Sequence, residues 1–328
     1  MVRTLPKQAV ALSAAAMLSF AFAASSVFAQ DVGIAASNPG SLYHSTGTAI
    51  AKMANDHAQL KASVHPFASA TVYLPAVSAG DYAFGVSNVE ELRVAVLGIA
   101  QFKGRDYSNL RASTILYPLR TALFVRKDSP IKSIADLKGK RVVAGFTSQK
   151  TIPPLLDALY ATAGMTSADI QPVSVPNVVA GADAFTSGRA DAFFFAIGAA
   201  KVEEANASVG GIRALDIPDT PENTAKIKKF FPPAYLRLEK PSPRNIGVLE
   251  PIHALTYDGV LVASTKTPDE VVYRMVKAMH ANKKAMAQVF GVMNLFDPGR
   301  MATNLDPIQF HPGAIKFYKE ISAWPPKS

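Results

Sequence analysis

Short runs of β-branched and apolar residues alternate along this chain with longer segments whose apolar positions recur every three or four residues, the pattern of a mostly parallel sheet covered by helices. Residues 32–36 read as a first strand and 37–41 as a polar turn, while Ile50, Met53, Ala54, His57 and Leu60 mark one face of a helix. The unit recurs in mid-chain. Residues 122–125 are a predicted strand. Ser133-Ile134-Ala135-Asp136 has the spacing of a helix-start capping box that Gly139 ends, and 141–144 is the next strand. Residues 145–151 form a small polar turn before a helix that stops at Gly164. A strand over 171–175, a helix over 179–187 ended by Gly188, and an apolar strand over 192–195 complete a further unit.

Residues 218–250 break this rhythm. Pro218, Pro221, Pro232, Pro233, Pro241 and Pro243, with Pro251 at the edge, predict mostly loop with one short helix. A strand over 259–264 follows. Thr267 is then the predicted N-cap of a helix with Pro268 in its first turn, and Val272, Met275, Val276 and Met279 form its buried stripe.

With 328 residues, 49% of them hydrophobic and 18% charged, the chain has room for about two domains with cores of their own. Disorder is excluded as a description of the whole. The lack of cysteine excludes disulfide frameworks, thiol nucleophiles, thiolate metal sites and a cysteine-linked lipid anchor. Arg3 and Lys7 precede an apolar run over 9–24, and Val27-Phe28-Ala29 satisfies the small-residue rule of a signal-peptidase site. Residues 1–29 are therefore an expected export leader, cleaved after Ala29. They hold two basic and no acidic side chains, so their removal lowers the formal net charge from +9 to +7. A soluble periplasmic protein is expected.

Catalytic signatures do not emerge. There is no G-x-S-x-G elbow, no phosphate-binding G-x-x-x-x-G-K-[ST] loop and no H-E-x-x-H pair, and His44, His57, His65, His253, His280 and His311 never fall at metal-ligand spacing. What remains are small, hydroxyl-bearing turns where strands should end: 37–43, 69–73, Ser87 with Asn88, and 147–151. Ligands of open α/β sheets bind outside the carboxyl ends of strands, where helix-start amides favour an anion. These turns are equally the composition of ordinary helix caps.

At those turns the chain resembles the TAXI family (TRAP-associated extracytoplasmic immunogenic) of solute receptors, across nearly all of residues 30–328. Gly40-Ser41-Leu42-Tyr43 followed by Gly47 and Ala51-Lys52 is similar to the family's first turn. Leu74, Ala79-Gly80 and Phe84-Gly85 follow in its order, as does Leu116-Tyr117-Pro118. Residues 131–142 are similar to a stretch shared by many two-lobed binding proteins. More specific are Gly188-Arg189-Ala190-Asp191-Ala192, ending in Gly198, and the near-terminal His311-Pro312-Gly313. The chain departs from the family at three turns: Ala68-Ser69-Ala70 with Tyr73, Ser37-Asn38-Pro39, and Thr147-Ser148-Gln149-Lys150-Thr151.

The resemblance implies an α/β, two-lobed periplasmic binding protein of type II with a ligand cleft between the lobes. Lobe one would be 30–120 with 263–328, and lobe two 127–253, joined by hinge strands at 121–126 and 254–262. Lobe one would contribute Asn38, Gly40, Ser41 and Tyr43, then Ser69 and Thr71, then Ser87 and Asn88. Lobe two would contribute Thr147, Ser148, Gln149, Lys150 and Thr151 with Ile197 and Gly198. Lys150 would supply the point charge for a carboxylate. No catalytic residue, metal or cofactor is implied. The implied partners are a small carboxylate ligand, an amino acid such as glutamate or a dicarboxylate, and a TRAP-type membrane permease that recognises the closed monomer. No nucleic acid is implied, since no basic motif is interleaved with aromatics. Two rivals remain open on the same fold: a binding protein serving an ATP-driven (ABC-type) transporter or a sensor kinase, and an exported enzyme, which would need a nucleophile, metal cluster or acid/base pair in the cleft that no motif here supplies.

Overall fold

The computed structural model describes residues 30–326, so the expected leader lies outside the described residues. The first unit forms as predicted, strand β1 (Gln30–Ser37) and helix α1 (Leu42–His57), except that Leu60, read as part of the helix face, lies past its end and opens strand β2 (Leu60–Phe67); helix α2 (Ala70–Ala79), strand β3 (Phe84–Asn88) and helix α3 (Val89–Val96) follow. β1 pairs in parallel with β2 and with β3. Ser41 caps α1, its Oγ accepting from His44 N at 3.1 Å.

A 17-residue strand, β4 (Leu110–Arg126), then crosses the molecule, followed by β5 (Arg141–Ala144), α4 (Ile152–Thr162), β6 (Gln171–Ser174), α5 (Val178–Thr186), β7 (Ala192–Ala196), α6 (Ala200–Ser208), β8 (Ile212–Ala214), α7 (Pro221–Phe230) and β9 (Tyr235–Glu239). The return strand is β10 (Ile252–Ser264), after which α8 (Asp269–Ala281), α9 (Lys283–Val289) and α10 (Pro312–Glu320) close the chain. All the strands belong to one mixed sheet of order β2-β1-β3-β10-β4-β7-β5-β6, with β8 beside β4 and β9 beside β10.

The sheet has two halves that share two antiparallel strands. β3 pairs with 259–262 of β10, and β7 pairs with 121–125 of β4. The predicted hinge strands, 121–126 and 254–262, are thus parts of the longer β4 and β10. Between the halves the β4–β10 register slips at Asp258/Val260, opposite Pro118, which has no amide to donate. β4 is buried along nearly its whole length, so its sequence lacks the alternation that marks a one-sided strand.

Three other local expectations need correction. The 218–250 stretch holds α7, as expected, but also the edge strand β9, which pairs with β10 from Ile252↔Glu239 to Thr256↔Tyr235. Thr267 is not the cap of α8. That helix starts at Asp269 behind Pro268, whose extended ψ of 136° keeps it outside, and the Thr267 hydroxyl donates instead to Ala83 O at 3.0 Å. The capping-box spacing at Ser133 yields a single tight turn in which Asp136 Oδ2 accepts from the amides of Lys132 and Ser133, each at 2.9 Å. The predicted stripe of α8 is core, with Val272, Met275, Val276 and Met279 wholly buried. Among the described residues no helix is long and apolar enough to cross a membrane.

Candidate functional site

The carboxyl ends of β1 and β3 in one half face the turns before α4 and α5 in the other. Between them lies a cavity of about 50 Å³, room for roughly four waters. Five of the sequence-predicted residues surround it: Ser41, Tyr43 and Asn88 from the first half, Gln149 and Thr151 from the second. Each is fixed by its local role. Asn88 caps α3, its Oδ1 accepting from Glu91 N at 2.9 Å, and turns its amide to Tyr43 Oη at 2.8 Å. Gln149 Oε1 accepts from Val178 N at 3.1 Å and so caps α5 from a distance. Burial holds the Tyr43 phenol well above its ordinary pKa, so it stays a donor at physiological pH.

A second group of predicted residues ties the halves together around the cavity. Ser69 stands at the start of α2 but does not cap it; its Oγ crosses to Ser148 O at 2.7 Å. Gln101 Nε2 reaches Thr151 Oγ1 at 3.4 Å, and Lys201 N donates to Gly40 O at 3.1 Å. Each such bond is worth about 1 kcal/mol net, so together they form a latch that thermal motion can open.

The other predicted residues lie elsewhere. Asn38, Gly40, Ser87, Thr147, Lys150, Ile197 and Gly198 do not line the cavity. Lys150 is exposed, so the lone cation proposed for this turn points to solvent. Gly198 borders a separate groove with His44 and Arg244, and Ile197 O accepts from Arg120 Nη2 at 3.3 Å. Thr71 does not line the cavity but donates to Glu91 Oε1 at 2.8 Å.

Glu91 is what the sequence reading missed. It lines the cavity with Ser37, Thr121, Tyr257, Phe194 and Phe195. No lysine, arginine or histidine is among the lining residues. Desolvation is the largest effect on the Glu91 carboxyl and raises its pKa, against lowering by hydrogen bonds from Thr71, Thr151 and Asn88. The α4 start is also poorer in donors than a usual helix start, because Pro153 and Pro154 have no N–H. Among the described residues no three His, Asp or Glu gather as a metal site.

The raised pKa sets a pH prediction. An unfolded glutamate titrates near about 4.3, so above that pH the native state holds more protons than the unfolded one, and stability falls as pH rises through the native pKa. Glu91→Gln removes this loss. Its thermal midpoint minus that of the parent should grow from pH 4 towards neutrality; parallel curves would refute the assignment.

A family model described as NMT1-like matches residues 34–321. Solved structures resemble the chain in fold at low identity. One described as a periplasmic transporter is 13% identical, with 89% of this chain and 93% of that one covered and a TM-score of 0.57. A Bordetella bronchiseptica protein is 16% identical over 89% and 98%, with a TM-score of 0.53. PhnD1 from Prochlorococcus marinus, in complex with methylphosphonate, is 13% identical over 89% and 96%, with a TM-score of 0.50. The fold is that of periplasmic binding proteins.

Proposed function

From the premise that the chain belongs to the NMT1-like family, we propose that it is an extracytoplasmic solute receptor of the TAXI type, exported by a leader over 1–29. It captures a small organic acid in the cleft between 30–120 with 263–328 and 127–253. It then delivers that solute to a TRAP-type permease. The observation that carries this reading is the cavity at the junction of the two halves, lined from both and closed over by single hydrogen bonds such as Ser69–Ser148. Capture by closure needs such a site: solute contacts made to both halves favour the closed population by the difference in affinity for the two states. The α1 start, where the Leu42 and Tyr43 amides precede the first capped one, offers donors for a carboxylate.

A thermal-shift screen of residues 30–328 against amino acids, dicarboxylates, keto acids, sulfonates and phosphonates tests it. A true ligand at a thousandfold over its Kd adds about 4 kcal/mol, a rise of several degrees. Thr151→Ala should diminish that rise at equal ligand concentration, because Thr151 lines the cavity from the second half. A full rise in the variant would place the site elsewhere. A permease gene beside this one, of TRAP or ABC type, separates the two transport partners.

A further inference from the structure

The described residues include three buried glutamates, Glu90, Glu91 and Glu239, exposed by 6%, 3% and 4%. Two have a cation. Arg93 Nε lies 2.7 Å from Glu90, and Arg120 Nη1 lies 2.9 Å from Glu239. Glu91 has none among the described residues. Its oxygens receive neutral donors alone: the Thr71 hydroxyl at 2.8 Å, the Asn88 amide at a long 3.4 Å, and the Thr151 hydroxyl. A carboxylate removed from water without a counter-charge costs several kcal/mol. This one faces the cavity rather than the core. The buried guanidinium of Arg120 is committed elsewhere, to Glu239, to Asn245 Oδ1 at 2.8 Å and to Ile197 O.

We infer that Glu91 is the counter-charge for a protonated amine on the solute, so that the cleft takes a zwitterion bearing one amine and one carboxylate and rejects solutes with two negative charges. The inference rests on the receptor reading and narrows it. The two ends of the cavity differ in the required sense. On the first half the start of α1 offers amides to one carboxylate. The start of α4 opposite lacks the amides of Pro153 and Pro154, and with Lys150 outside the cavity nothing charged awaits a second carboxylate. Tyr43, Tyr257, Phe194 and Phe195 supply aromatic surface to the same cavity, a favourable setting for an ammonium.

The pH dependence of binding gives the sign. Apart from Glu91, the titratable groups that face it are Tyr43, Tyr73 and Tyr257, whose phenols burial pushes up, so they remain protonated. Thr71, Asn88 and Thr151, its other neighbours, do not titrate. Amine binding requires ionised Glu91, so affinity rises with pH through the Glu91 titration. A solute held by a protonated Glu91 would show the reverse.

Calorimetric titration of residues 30–328 with L-alanine, L-glutamine, L-glutamate, their N-acetyl derivatives, succinate and 2-oxoglutarate, between pH 5.5 and 8, tests this. The expected result is binding of L-alanine or L-glutamine more tightly than L-glutamate, tighter at higher pH and lost on N-acetylation. In Glu91→Gln that affinity should fall about a hundredfold, the scale of removing one partner from a buried charge pair. The parent's pH profile and the N-acetyl comparison hold even if the variant fails to fold. Succinate, 2-oxoglutarate or L-glutamate binding more tightly than L-alanine and L-glutamine overturns the inference while leaving the receptor reading standing. Binding by none of these compounds overturns the inference together with the small-acid reading.

Discussion

Arg120→Ala should lower the unfolding free energy by about 3–5 kcal/mol, the usual cost of breaking a buried ion pair from one side. Arg120 is 5% exposed and stands opposite Thr256 where the two halves of the sheet join. Its guanidinium bonds Glu239 Oε2 at 2.9 Å, Asn245 Oδ1 at 2.8 Å and Ile197 O at 3.3 Å, so one side chain pins the turn after β7, strand β9 and the loop beyond it. Alanine leaves Glu239 in the interior with only Arg237, 3.3 Å away and partly exposed, as a counter-charge. The double variant Arg120→Met, Glu239→Leu should lose much less, because it leaves no orphaned charge. Urea titration measures both as shifts in midpoint at unchanged slope. A loss below about 1 kcal/mol for Arg120→Ala would show that water reaches the pair.

Gly313→Ala is the second large effect, about 3 kcal/mol of destabilisation. A Cβ at Gly313 would overlap Asp269 O and lie 2.9 Å from its C and 3.0 Å from its Cα. All three are backbone atoms of the first residue of α8, so no rotamer change relieves the clash and α10 must move away. His311 cannot move with it cheaply. Its buried ring accepts from Gly313 N at Nδ1, 3.1 Å away, and places Nε2 3.1 Å from Ser264 O, while burial lowers its pKa and keeps it neutral. The histidine-proline-glycine triplet is thus a close-packing device. Gly299→Ala, whose Cβ would meet only the Asp297 carboxylate at 3.3 Å, is the matched control and should change stability by less than about 0.5 kcal/mol. Equal thermal midpoints for the two variants would contradict this account.

The sequence makes the repeating units legible because β1, β5 and β7 are short apolar runs bounded by turns, and Gly139, Gly164 and Gly188 take the positive φ expected after a helix or tight turn. The crossing strands are legible only in part. β4 is buried on both faces and β10 nearly so, and without polar alternation their lengths cannot be read from period alone. β9 is hidden because prolines flank it and its pairing partner comes later in the chain. At the site, hydroxyls and amides at strand ends can be read as caps, and Ser41 and Asn88 are caps as well as cavity residues. Glu91 is also an ordinary first-turn acid of α3 by local rules. Only the packing of α2, α1 and the α4 turn around it makes it the charged group of the cavity, and no local pattern reports that. Lys150, conspicuous in its turn, is turned outward by the same packing.

The central claim is that the two halves close over a solute, and the absence of native cysteine makes a direct test simple. Lys103 and Lys150 are exposed and flank the Gln101–Thr151 contact from opposite sides of the cleft. Spin labels on Lys103→Cys and Lys150→Cys report the cleft width by pulsed electron resonance. The account predicts a distance distribution that narrows to its short component on adding a ligand found by thermal shift, and that returns on dialysis. A distribution unchanged by a ligand that demonstrably binds would contradict it.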